Sequence, residues 1–274
     1  MDTQTNQPVV LTIAGFDPSG GAGILADIKT FAAFGCYGLA AVTSLTFQNT
    51  QRVAGALNQT AEITLQQLEP LFADFEISAI KTGMLPTAEI IRKVASIIRA
   101  NSIPVVVVDP VLQSTSGFGL MDDRALDSLT SDLFPLASVV TPNIQEARRI
   151  SGVDIKDPGQ MEAAAEAIRK TGAQAVLITG GDTATSLAMD LLLDSQGAAV
   201  FSTERIRSKH THGTGCTFAS ALACLLARGR SLRDSVPIAK EYIARAIAEA
   251  PEVGRGMGPL NHFPPGFRFD PGDD

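Results

Sequence analysis

The chain predicts an α/β fold of three layers, with a mostly parallel sheet held between helices. Three observations carry that expectation. Short β-branched runs alternate with longer stretches of helical periodicity almost from end to end. One run, Val105-Val106-Val107-Val108, is apolar without interruption, as a central strand buried on both faces must be. Turns rich in glycine or proline follow several runs directly, at the strand ends where open parallel sheets bind ligands.

The elements follow in order. Val9 to Ala14 is a buried-strand pattern that stops at Gly15, and a glycine-rich turn, Asp17-Pro18-Ser19-Gly20-Gly21-Ala22-Gly23, leads into a helical pattern through Ile24, Ile28 and Phe31. Leu39 to Thr46 reads as a strand, Ala61 to Phe75 as a helix and Ala79 to Lys81 as a short strand. After Pro86, Ile90, Ile91, Val94, Ile97 and Ile98 recur on one helical face. Val139 to Thr141 and Ala175 to Thr179 supply further strands. Between them, Asp157-Pro158-Gly159-Gln160 starts a helix with an N-cap, a proline at the first position and a Gln suited to a capping box. Leu187 to Leu193 and Ala199 to Ser202 form an antiparallel pair around Asp194-Ser195-Gln196-Gly197, and helices run from Gly215 to Arg228 and from Leu232 to Ala250. One domain over residues 1–263 is expected, with 264–274 as a disordered tail because that stretch lacks periodicity.

Composition sets the function classes. The 274 residues are 45% hydrophobic and 19% charged, which permits a large core and excludes wholesale disorder. A net charge of −7 speaks against a nucleic-acid partner, because phosphate neutralisation needs clustered positive charge. No apolar stretch reaches the ~20 residues of a bilayer span, so no membrane partner is expected. Three cysteines without a C-x-x-C pair, and a polar N-terminus unlike a signal peptide, point to a reducing cytoplasm.

Four constellations stand where chemistry would be expected. His212-Gly213-Thr214-Gly215-Cys216-Thr217 opens a helix whose first N–H groups lack intrahelical partners and so make an anion hole suited to phosphate. Cys216 would sit in it, its thiolate favoured by those N–H groups; a glycine turn with a small buried cysteine is the plainer reading. Asp109 follows the valine strand and would point a carboxylate at a divalent cation, unless it only terminates the strand. Asn143 and Glu146 lie three apart after another strand, a spacing that suits magnesium and equally suits a capping box. Gln48 carries an amide matching a ring nitrogen flanked by an amino group, or is an exposed loop residue. His210 and His212 lack a metal-ligand pattern and read as turn residues.

Together, Ala14 to Gly23, Gln48-Asn49-Thr50, Lys81-Thr82-Gly83-Met84-Leu85, Asp109-Pro110-Val111, Thr141-Pro142-Asn143 with Glu146, Thr211 to Thr217 and Val253 to Phe263 resemble the hydroxymethylpyrimidine and phosphomethylpyrimidine kinases of thiamine biosynthesis, in the ribokinase-like superfamily. The resemblance implies ATP-dependent phosphorylation of 4-amino-5-hydroxymethyl-2-methylpyrimidine and then of its monophosphate. Gly15, Asp17, Ala22, Gln48, Met84 and Val111 would surround the pyrimidine. Gly213, Thr214, Gly215 and Cys216 would form the catalytic anion hole, with Cys216 taking the hydroxymethyl proton. Asn143, Thr179, Gly181 and Thr211 would meet ATP, and Asp109 and Glu146 would organise Mg2+. The expected assembly is a homodimer.

Two departures from the family pattern remove positive charge from the nucleotide side. Thr115 precedes Ser116-Gly117 where a lysine is usual, and Thr179-Gly180-Gly181-Asp182 replaces a Lys-Gly-Gly-His pattern. Two other readings follow: a pyridoxine-type kinase of the same fold, and a non-catalytic pyrimidine sensor.

Overall fold

The computed structural model describes residues 7–113, 117, 119–121, 123–181, 186–267 and 269. A nine-stranded sheet forms its centre. β1 (Val9–Phe16) pairs in parallel with β2 (Tyr37–Gln48), and β3 (Val53–Asn58) folds back antiparallel on β2 as one edge. On the other side of β1, the strands β4 (Ala79–Thr82), β5 (Val106–Val108), β6 (Val139–Val140) and β7 (Val176–Ile178) continue in parallel. Two antiparallel strands, β8 (Leu187–Asp194) and β9 (Gly197–Glu204), complete the far edge.

Side chains alternate between the two faces of each strand, so each run of valines feeds two cores. Val106 and Val108 pack with Ile80, Val140 and Val176 under α2 (Ala61–Asp74), α3 (Ala88–Asn101), α5 (Ile144–Ser151) and α6 (Pro158–Arg169). Val107 faces the other way, with Val10, Val139 and Leu177, under α1 (Gly23–Ala33), α7 (Thr214–Ala227) and α8 (Leu232–Ala248). All the parallel strands end on one side of the sheet. Gly15, Gly83, Asp109, Thr141 and Thr179 therefore converge there from separate points in the sequence.

Several expectations are corrected by the fold. β3 carries no signal of its own, because Val53-Ala54-Gly55-Ala56 is small and the strand is an edge held only by β2. The stretch from α4 (Asp123–Ser128) through a π turn, Leu129–Leu133, to a 3-10 turn, Phe134–Leu136, was not anticipated; Ala125, Leu129 and Leu133 bury one face of it. At α6, Asp157 caps the Gln160 N–H, but Gln160 answers to the N–H of Lys156, one residue before the cap. The chain beyond Pro264 is not a free tail as far as it is described. Phe267 lies 4.7 Å from the Tyr242 ring, Phe269 lies 5.3 Å from Phe34, and the Arg228 guanidinium sits 5.0 Å above Phe269. Two aromatics without periodicity are enough to dock a segment that pattern alone reads as loose. Thr115, Ser116, Asp182 and residues 270–274 lie outside the described residues.

Candidate active site

Beyond the strand ends lies a cleft of about 1050 Å³. Its middle is built by the starts of two helices. At α7 the N-cap is Gly213, with φ of 84°, and a Cβ there would stand 1.8 Å from the Gly21 carbonyl oxygen, so only glycine fits. At α1 the first residue is Gly23, where a Cβ would meet Gly15 O at 2.2 Å. The N–H of Gly23 reaches Cys216, so both helix N-termini meet at that sulfur, with Thr214 and Gly215 beside it. The sequence expectation of a thiolate fails here. Burial pushes the Cys216 thiol up to about 12; Lys81 opposes this, while Asp109 and Asp27 reinforce it. Desolvation of a charged sulfur outweighs the helix dipoles.

Five buried carboxylates stand among the surrounding elements. Asp17 accepts from Ser19 N (2.8 Å), Ser19 Oγ (2.7 Å), Gly21 N (3.2 Å), Ala22 N (2.9 Å) and His212 Nε2 (2.8 Å). Burial alone would raise its carboxyl, but the bonds from His212, Gln48 and Ser19 win and hold it well below the usual range. Asp17, expected beside the pyrimidine, lines the cleft with Gln48 and Met84, and its oxygens also hold the glycine turn and His212. His212 is correspondingly more than a turn residue. No local pattern could have paired it with Asp17, because 195 positions separate them.

Asp27 accepts from Thr12 Oγ1 at 2.6 Å, Ser220 Oγ at 2.7 Å and Lys81 Nζ at 3.1 Å, and Lys81 stands 3.8 Å from Asp109. Neither Lys81 nor Asp27 is exposed, so a fixed ion pair underlies Cys216. Asp109 faces Cys216, and burial raises its carboxyl despite Lys81. Glu146 accepts Leu112 N on Oε1 (3.3 Å) and Asn143 N on Oε2 (3.0 Å), and Asn143 accepts Glu146 N at 2.9 Å. The capping box is thus complete, and it ties α5 to the loop after β5. Asp190, the fifth carboxylate, takes Gly180 N at 3.0 Å and Lys240 Nζ at 2.6 Å.

The remaining sequence candidates line the same cleft. Gly15, Ala22, Gln48, Met84 and Val111 border one end, where a Cβ on Gly15 would come within 3.0 Å of the Met84 sulfur. Asn143, Thr179, Gly181 and Thr211 border the cleft with Asp109 and Glu146. An apolar wall of Phe218, Ile243, Ala244 and Ile247, which no motif announced, also belongs to it. No group of three or more His, Cys, Asp or Glu poised for a metal occurs among the described residues. None of the described helices is long and apolar enough to cross a membrane.

This geometry has close counterparts. A thiamine biosynthesis bifunctional protein of Geobacter sulfurreducens is 45% identical over 93% of the chain, which spans 52% of that longer protein. A hydroxymethylpyrimidine/phosphomethylpyrimidine kinase of Staphylococcus aureus is 43% identical over 93% of both chains. The solved ADP complex of Bacillus subtilis pyridoxal kinase superposes with a TM-score of 0.87 at 37% identity, covering 94% of this chain and 98% of that one. The model of the phosphomethylpyrimidine kinase family matches residues 17–261, and the chain belongs to that family.

Proposed function

We propose that this chain transfers the γ-phosphoryl group of ATP to the hydroxymethyl oxygen of 4-amino-5-hydroxymethyl-2-methylpyrimidine, and then phosphorylates the monophosphate. One observation carries the reading: the paired starts of α1 and α7 meet at Cys216 in a cleft bordered by Gln48 and Met84 as well as by Asn143 and Thr179. Phosphoryl transfer asks a protein mainly for positioning and for stabilisation of charge on the moving group, and N–H groups at helix starts supply both.

At the pyrimidine end, Gln48 reaches Asp17. An ionised carboxylate only accepts, so the Gln48 NH2 must face Asp17, which fixes the amide's orientation and leaves a defined acceptor and donor for an aminopyrimidine edge. At the centre, Cys216 Sγ keeps its proton and serves as a hydrogen-bond donor. The hydroxymethyl proton leaves late in a loose transition state, to an oxygen of the transferred phosphoryl group or to water, so a strong base is dispensable.

Mg2+ fits one of its two expected ligands directly. Asp109 Oδ2 is buried 3.8 Å from Lys81 Nζ and accepts no hydrogen bond of normal length among the described residues, whereas both Glu146 oxygens already take backbone N–H groups. Asp109 would hold the ion and Glu146 would reach it through water, since magnesium keeps several waters. The ion would neutralise charge on the phosphate oxygens. Leu45 and its partner Leu57, with Phe47 two residues along β2, lie exposed at the β3 edge of the sheet, a patch that suits the proposed homodimer. The three free cysteines suit a cytoplasmic setting.

The deciding assay is ADP release with the pyrimidine alcohol, its monophosphate and pyridoxal, with and without EDTA. Turnover of both pyrimidines, preferred over pyridoxal in kcat/KM and lost in EDTA, is expected. Preference for pyridoxal makes the chain a pyridoxine-type kinase, and no turnover of any acceptor makes it a sensor.

A further inference from the structure

The turn after β7 is held from three directions. Thr179 N donates to Pro142 O at 2.9 Å. Gly180 N donates to Asp190 Oδ1 at 3.0 Å, and Arg205 donates to the carbonyls of Gly180 and Gly181. Asp190 is itself pinned, because Lys240 Nζ donates to its Oδ2 at 2.6 Å and to Ala188 O at 3.2 Å. Asp190 is 5% exposed and Lys240 7%, so neither is free to rotate into water. Gly180 has no slack either: a Cβ there would lie 2.0 Å from Met189 O. Lys240 sits on α8 one turn before Ile243 and Ala244 and two turns before Ile247, the α8 part of the apolar wall of the cleft. A single buried ion pair therefore ties that wall to one N–H group of the turn.

Buried ion pairs seldom add stability over apolar residues of equal volume. What this pair supplies, and apolar residues cannot, is a locked acceptor for Gly180 N–H. We infer that Asp190 and Lys240 are positioning residues for the nucleotide, fixing the Thr179–Gly181 turn against the α8 wall before ATP enters. The inference rests on the proposed reading of that end of the cleft as the ATP site. It gives the turn a role that does not need a lysine at position 179, because a backbone already ordered costs the ligand nothing to order.

Three variants test the role through ATP and pyrimidine KM values and through direct binding of a fluorescent ADP analogue without pyrimidine. Lys240→Met leaves Asp190 without its partner, and the KM for ATP should rise roughly 5- to 150-fold while that for the pyrimidine stays put. Asp190→Asn with Lys240→Met removes both charges yet keeps an acceptor oxygen for Gly180 N–H, and should return nucleotide affinity to near the wild-type value. Asp190→Leu with Lys240→Met is equally uncharged but has no acceptor, and should stay weak. Thermal melting of the two double variants separates folding from positioning, because both lack the ion pair. If the doubles bind the ADP analogue equally, or if ATP and pyrimidine KM values move together, the role is overturned. A wild-type protein that binds no ADP analogue would overturn the reading of the cleft itself.

Discussion

A thiol in the first turn of one helix that faces the start of another, yet stays protonated, has a measurable signature. With its pKa pushed to about 12, Cys216 is alkylated only through a trace of thiolate. Iodoacetamide modification, followed by peptide mass spectrometry, should accelerate about tenfold per pH unit up to at least pH 10, where an ordinary thiol would have levelled off near 8.5. Levelling below pH 9 would restore the thiolate. Cys216→Ala should lower kcat by about 10²–10³, the usual cost of losing one donor to developing charge, with pyrimidine binding unchanged. Gln48 has the opposite profile. Gln48→Leu leaves the ring's polar edge unpaired, so calorimetry should show pyrimidine affinity reduced roughly 5- to 150-fold. Unaltered binding would remove Gln48 from the ring site.

At the scale of the element, the start of α7 offers a contrast between two glycines two positions apart. Gly213 combines a positive φ with a carbonyl 1.8 Å from its absent Cβ, whereas Gly215 has open space. Gly213→Ala should cost at least about 1–3 kcal/mol in urea unfolding and most of the activity, and Gly215→Ala should leave stability nearly unchanged. The same elements show what the sequence made readable. Strands β1 and β5 were evident because burial on both faces demands uninterrupted apolar runs, and candidates just past strand ends were evident because parallel strands finish on one side. β3 was not, since an edge strand of small residues has no pattern to offer. The carboxylate hubs at Asp17, Asp27 and Asp190 were also hidden. Each joins partners far apart in the chain, and periodicity only reports neighbours.

For the whole molecule, His262 links stability to pH. Burial first, and Lys29 second, bring its pKa down to about 4, and its Nε2 lies 3.3 Å from Thr217 Oγ1 in the first turns of α7. Between pH 6.5 and 4 the unfolded chain takes up a proton that the folded chain refuses, so stability contributed by this residue is complete above 6.5 and lost as the pH falls to 4. The loss is bounded at about 3 kcal/mol. His262→Gln should flatten the urea midpoint across that window relative to wild type, and parallel curves would clear His262 of the effect.

The bond between Asp17 and His212 also bears on how the chain folds. It closes a loop of 195 positions, and the contact of Gly213 with Gly21 closes nearly the same loop. During synthesis, β1 and its glycine turn emerge early, but the His212 and Gly213 partners of that turn arrive only with the start of α7. Refolding from urea should therefore regain helical signal before nucleotide binding, because contacts of such long sequence separation form last. The cleft is a product of completion: a chain arrested anywhere before α7 can hold much of its sheet but lacks Cys216 and the helix start that faces α1.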